Sequence, residues 1–212
     1  MKKSIHHQLA DRKRRIASRL ERRNIIVERD QPIFSAAGIE YEVAERVRGI
    51  AAGGIGGMQM VAECAGLAGN INRSVHVLNR HLPYHESDHV LNIAYNLLAG
   101  GTCLEHIEGR RNDEVYLDAL GVVSIPDPTT AGDFCRRFGE ENIQALMDAI
   151  NESRVQVWRE QPEAFFEEAV IDADGSIVET TGECKQGIDI SDNGKWGYHP
   201  LLVSLANTGE LL

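Results

Sequence analysis

The chain has 212 residues and a mass of 23.5 kDa, with 22 Lys plus Arg against 32 Asp plus Glu and a net charge of −10. Its 42% hydrophobic and 25% charged fractions belong to a folded globular chain and exclude disorder, a collagen-like repeat and a disulfide scaffold. No apolar run approaches the ~18 residues of a membrane helix, and Met1-Lys2-Lys3-Ser4-Ile5 leads into His6, His7 and Gln8, not an apolar signal core.

The charge is unevenly placed. Residues 1–30 hold ten basic side chains (Lys2, Lys3, Arg12, Lys13, Arg14, Arg15, Arg19, Arg22, Arg23, Arg29) and four acidic ones, +6, whereas the remainder carries 12 against 28, −16. Arg12 to Arg23, with Ile16 and Leu20, has helical spacing. Two readings stay open: a polyanion-binding arm whose affinity falls with salt, or a solvated basic helix.

Past Gln31-Pro32, residues 38–52 repeat apolar positions at helical spacing (Ile39, Val43, Val47, Ile50). Gly53-Gly54-Ile55-Gly56-Gly57 lacks the Gly-Lys-Ser/Thr ending of a phosphate loop, so it reads as a break that lets helices pack closely. Met58–Leu67 restarts a helix. Ser87 is an expected N-cap for a helix over 88–98, which Gly100-Gly101 stops. A helix over 102–120 is expected, with its charged patch from Glu108 to Glu114 facing solvent. Thr129 or Thr130 is expected to cap a short helix through Phe138 after Pro126-Asp127-Pro128. Glu140–Trp158 is the clearest helix, with Ile143, Leu146, Met147, Ile150, Val157 and Trp158 as its expected buried face.

At residue 169 the period changes from 3.6 to 2. Ala169–Asp174, extended by Gly175–Val178, is one expected strand and Pro200–Ala206 a second, with Asn207-Thr208-Gly209 turning into a third at Glu210. The fold class is therefore α+β. The four cysteines (Cys64, Cys103, Cys135, Cys184) form no CxxC pair, which predicts a reduced chain in the cytoplasm.

The strongest chemical signal is Ile171-Asp172-Ala173-Asp174-Gly175-Ser176. Residues two apart on a strand share a face, so Asp172 and Asp174 project together as an oxygen-only half-site suited to Mg²⁺. Two solvent-facing carboxylates on a strand are the plain alternative, and no third acid with obvious spacing follows. His81, His85 and His89 have i, i+4, i+8 spacing, but Pro83 interrupts it, so polar turn histidines are expected over a zinc site. His199 is a candidate to approach the Asp pair across the sheet.

Several blocks together resemble bacterial insertion-sequence transposases of the DDE superfamily, the type filed as DDE transposase group 1. They are Leu82-Pro-Tyr-His-Glu-Ser-Asp-His-Val-Leu-Asn92, Gly100-Gly-Thr-Cys-Leu104, Arg110-Arg-Asn-Asp-Glu114 and Pro126-Asp-Pro-Thr-Thr-Ala-Gly-Asp-Phe-Cys-Arg-Arg-Phe138. Ile171–Ser176, Thr180-Thr-Gly-Glu-Cys-Lys185 and Gly197-Tyr-His-Pro-Leu201 resemble the opening of the catalytic domain. The resemblance spans about residues 5–212. It implies a basic helical arm (1–30), a helical DNA-binding and assembly region (31–165), and the first strands of an RNase H-like domain (166–212). It implies Asp174, before Asp172, as the first of three metal-binding carboxylates, with Mg²⁺ or Mn²⁺ as cofactor of the full-length parent. The family's second Asp and final Glu have no counterpart here, so a truncated, inactive transposase is expected. DNA at the element's terminal repeats is the expected partner, contacted by Arg12, Lys13, Arg14, Arg15, Arg19, Arg22, Arg23, Arg136 and Arg137, with the protein nucleoid-associated when bound. A second copy or a full-length transposase is a further partner, no membrane being involved. A DNA-binding or dimerising regulator is the alternative, and a complete small Mg²⁺ hydrolase using Asp172, Asp174 and His199 a third reading.

Overall fold

The computed structural model describes residues 7, 9–10, 12–18, 32–34, 49, 51–81, 83–181 and 185–212. The chain divides into two compact units, Met1–Arg159 and Glu160–Leu212. The first is helical and the second carries small antiparallel sheets, an α+β composition.

In the first unit, residues 12–18 are helical. Arg19, Arg22, Arg23 and most of the 38–52 segment lie outside the described residues. Helix α1 (Ile55–Cys64) starts after Gly54, whose φ of 84° is open to glycine at little cost. A Cβ on Gly56 would lie 2.6 Å from the Ala119 carbonyl oxygen, so this glycine permits the close backbone approach that its run suggests. The expected helix over 58–67 is two: α1 ends at Cys64, Gly66 turns left-handed, and α2 runs Leu67–Ser74.

Helix α3 (Glu86–Leu98) begins two residues earlier than Ser87 predicts. His85 is the N-cap, because the Asp88 carboxylate reaches back to accept the His85 N–H at 2.9 Å. Ser87 is instead buried, exchanging hydrogen bonds with the Asn72 amide. The single helix expected over 102–120 is broken into a 3₁₀ turn (Leu104–His106), α4 (Ile107–Arg111) and α5 (Glu114–Ala119). Asp113 causes the break, since its side chain caps the Val115 and Tyr116 N–H groups and so starts a new helix. Arg110 does not face solvent freely: its guanidinium donates to the Ala99 carbonyl and lies over the Tyr116 ring. Helix α6 (Pro128–Cys135) is capped by Asp127, not by a threonine; Thr130 donates its N–H to that carboxylate at 3.0 Å.

Helix α7 (Glu140–Arg159) packs on α2 through Ala145, Leu146, Ala149 and Ser153. The buried Asn70 amide donates to the Ser153 hydroxyl at 2.9 Å. The face predicted as core is therefore mostly outside: Ile143 is 52% exposed and Met147 47%, and Ile150 and Val157 are exposed too. Small residues won the interface because α2 approaches where Ala149 and Ser153 leave room. The main core gathers Phe34, Ile55, Leu91, Tyr95, Ile107, Tyr116, Leu117, Leu120 and Ile125 around α3.

In the second unit, β1 (Ile171–Gly175), β5 (Leu201–Leu205) and β6 (Glu210–Leu211) form one sheet in the order β1-β5-β6. Strands β2 (Val178–Glu179), β3 (Asp189–Ile190) and β4 (Trp196–Tyr198) form another in the order β2-β4-β3. The Asn207-Thr208-Gly209 hairpin is as expected, with Gly209 at φ 72°. Strands β3 and β4 have no clear signal in the sequence, being two and three residues long. Among the described residues of this unit only Gly197 and Leu205 are buried.

Candidate functional site

Asp172 and Asp174 stand on one face of β1, opposite Ser204 and Leu202 of β5. Every β1 residue is exposed. Neither carboxylate has a hydrogen-bond or ion-pair partner among the described residues. Two like charges on one short strand repel each other, a small cost that water screening permits. His199 lies in the loop after β4, its Nε2 at 3.4 Å from the Asp189 carbonyl oxygen of β3.

No group of three or more His, Cys, Asp or Glu side chains converges on a metal position among the described residues. The Asp172–Asp174 pair matches the hard-oxygen chemistry of Mg²⁺ or Mn²⁺ but falls short of the carboxylate set that two bridged ions need. The described residues do not fit a complete two-metal centre. His81 and His85 stack on each other with centroids 4.3 Å apart, while His89 stacks on Phe134, so the three rings do not share one point.

Of the basic residues, Arg12, Lys13, Arg14 and Arg15 are exposed, as are Arg136 and Arg137. Arg12, Arg15 and Ile16 line a cavity of about 500 Å³ with Asn112, Asp113 and Glu114 on its other wall. Those two acids would compete with a phosphate for the arm. Arg136 pairs with Asp133 one helical turn before it.

The first turn of α3 is unusual in being polar and fully buried: Glu86, Ser87 and Asp88 are each 0–1% exposed. Buried charges persist only when hydrogen-bonded. Asp88 accepts from the backbone N–H groups of Ile33 (2.8 Å), Phe34 (3.2 Å) and His85. Burial pushes its carboxyl pKa up, and those three donors hold it partly back. Glu86 accepts from Val77 N–H (3.3 Å) and Leu78 N–H (3.1 Å), and its other oxygen lies 3.2 Å from His81 Nε2. Asn92 donates to the Pro126 carbonyl at 3.1 Å. The His-Glu-Ser-Asp-His run is thus a fastening that ties four segments to one helix end. The sequence signal for it was five consecutive polar residues, His85 to His89, where one helical face should be apolar.

Beside this fastening lies a cavity of about 350 Å³, between residues 78–80, His89 of α3, and Thr130, Asp133, Phe134 and Arg137. His89 is buried, with its pKa lowered to about 4 by desolvation and secondarily by the Arg137 charge. Its Nδ1 is buried without a hydrogen-bond partner. Sequence reasoning missed Arg80 at this rim; only the chain's return past α3 brings it near Arg137.

No family model matches the chain, and no curated protein or solved structure is similar to it. No helix among the described residues is long and apolar enough to cross a membrane.

Proposed function

We propose that this chain is part of a DDE-type insertion-sequence transposase: a basic arm and helical unit that bind DNA at the element's ends, followed by the first strands of an RNase H-like catalytic domain. The observation that carries the reading is the Asp172–Asp174 pair, exposed and uncompensated on one face of the first strand of an antiparallel sheet. Open carboxylates two residues apart on one strand leave their oxygens free for a hard cation. Asp174 takes the part of the first catalytic carboxylate, and Mg²⁺ or Mn²⁺ is the cofactor of a site completed by ligands other than the described residues. The chain by itself binds and positions DNA through Arg12, Lys13, Arg14, Arg15, Arg136 and Arg137, and does not cut it.

The test is fluorescence anisotropy on duplex DNA flanking the coding sequence and on random duplex, across a KCl series. Binding should weaken steeply with salt, each arginine removed from the arm lowering the log–log slope by about one. Absence of binding even at the lowest salt would sink the proposal.

A second reading, a regulator that pairs with another copy or with a full-length transposase, draws on the exposed apolar stripe of α7, Ile143, Met147, Ile150 and Val157. Sedimentation of the wild type against Met147→Glu separates it: a self-association lost in the variant favours a regulator.

A further inference from the structure

We propose that the 350 Å³ cavity beside His89 receives one nucleotide of a DNA strand, its phosphate held between Arg80 and Arg137. The proposal rests on the DNA-binding reading above and adds where an unpaired nucleotide is held. The volume lies at the small end of the range for ligand sites, which suits a single nucleotide and excludes a duplex.

Charge selects the ligand. Asp133 is the acidic residue in the lining, and its carboxylate is engaged by Arg136. Arg80 has no hydrogen-bond or ion-pair partner among the described residues. Arg137 reaches only the Val77 carbonyl oxygen, at 3.5 Å, and has no carboxylate partner there. Two guanidinium groups thus face one concavity uncompensated, although the chain as a whole is strongly acidic. Planar guanidinium forks match phosphate oxygens in pairs.

The floor is built and fixed. Tyr84, His89 and Phe134 are each buried, His89 lying flat on Phe134 and edge-on to Tyr84. These rings offer an apolar bed for a sugar or base. The rim is held as well, since Glu86 clamps the backbone at Val77 and Leu78 just before Asn79 and Arg80. The Asn79 amide on the rim, with a donor and an acceptor, can meet a base edge.

The experiment compares a duplex carrying a short single-stranded overhang with the same duplex blunt, for wild type and for the Arg80→Ala variant. Arg80 is exposed, so its truncation leaves the packing intact, and circular dichroism is the check that the variant folds. The expected result is a loss of about 10-fold in affinity for the overhang duplex and under about 2-fold for the blunt one. Equal affinities of wild type and variant for the overhang duplex overturn the pocket while leaving DNA binding in place. Equal losses on both duplexes also overturn it, since Arg80 would then serve duplex phosphates. No binding of either duplex by wild type at low salt overturns both proposals. As a second readout on unaltered protein, the His89 ring resonances should shift with a short oligothymidylate. A similar shift with thymidine monophosphate alone would assign the site to free nucleotides and overturn the strand.

Discussion

The His89 ring lies flat on Phe134, with centroids 4.4 Å apart and planes 11° apart. This contact joins α3 to α6, and it uses a titratable residue where an apolar one would serve for packing alone. The consequence is a pH-sensitive core. Burial keeps the imidazole neutral in the folded chain, with its pKa lowered to about 4 from 6.5.

A group with a depressed folded pKa stabilises the fold above its unfolded pKa and loses that contribution as pH falls through the folded value. His89 should therefore cost on the order of 3 kcal/mol of stability between pH 6.5 and 4. Asp88, with its raised pKa, acts in the opposite sense, contributing most at low pH, so the wild-type profile is a sum. Urea unfolding of wild type and His89→Gln at several pH values isolates the histidine: the variant's profile should be flatter between 6.5 and 4, and parallel profiles would exclude His89 as the cause.

Asp88→Ala removes the acceptor of three backbone N–H groups at Ile33, Phe34 and His85. Buried donors left without partners lose the bond and still carry its desolvation cost. The unfolding free energy should drop by on the order of 3 kcal/mol or more, and protection of the Phe34 amide from hydrogen exchange should fall. A loss under about 1 kcal/mol would mean that the fastening is replaceable.

Two glycines of α1 should respond with opposite signs. Gly56→Ala places a Cβ 2.6 Å from the Ala119 carbonyl oxygen and should destabilise by about 1–3 kcal/mol. Gly57→Ala meets nothing within 4 Å and should stabilise by about 0.5–1 kcal/mol through helix propensity. Thermal unfolding of both variants provides the check.

Asp172→Asn and Asp174→Asn should leave the melting temperature unchanged or raise it slightly, because both side chains are exposed and each relieves the other's charge. A marked loss of stability in either would give the pair a structural role and remove the observation on which the functional reading stands.

Helices and strands with strong periodicity were legible: α3, α7, β1 and β5 lie where their patterns put them. The glycine run was legible too, as a break and a close approach. Caps were not, because Ser87, Thr129 and Thr130 each stand near a carboxylate, Asp88 or Asp127, that takes a helix-end N–H instead. The inner face of α7 was misjudged for a related reason. Hydrophobicity ranks Met147 and Ile150 above Ala149 and Ser153, but the closeness of α2 and a hydrogen bond to Asn70 decided the contact.

By itself the sequence determined what depends on neighbours along the chain: the change of period at residue 169, the shared face of Asp172 and Asp174, and the +6 charge of residues 1–30. Only the tertiary structure decided what depends on segments distant in sequence. It turned the His85–His89 run into a buried fastening and brought Arg80 and Arg137 to one cavity lined also by His89 and Phe134. The physical reason is that local pattern specifies which face a residue occupies. Desolvation and hydrogen-bond satisfaction, which give that residue its chemistry, come from whatever packs against the face.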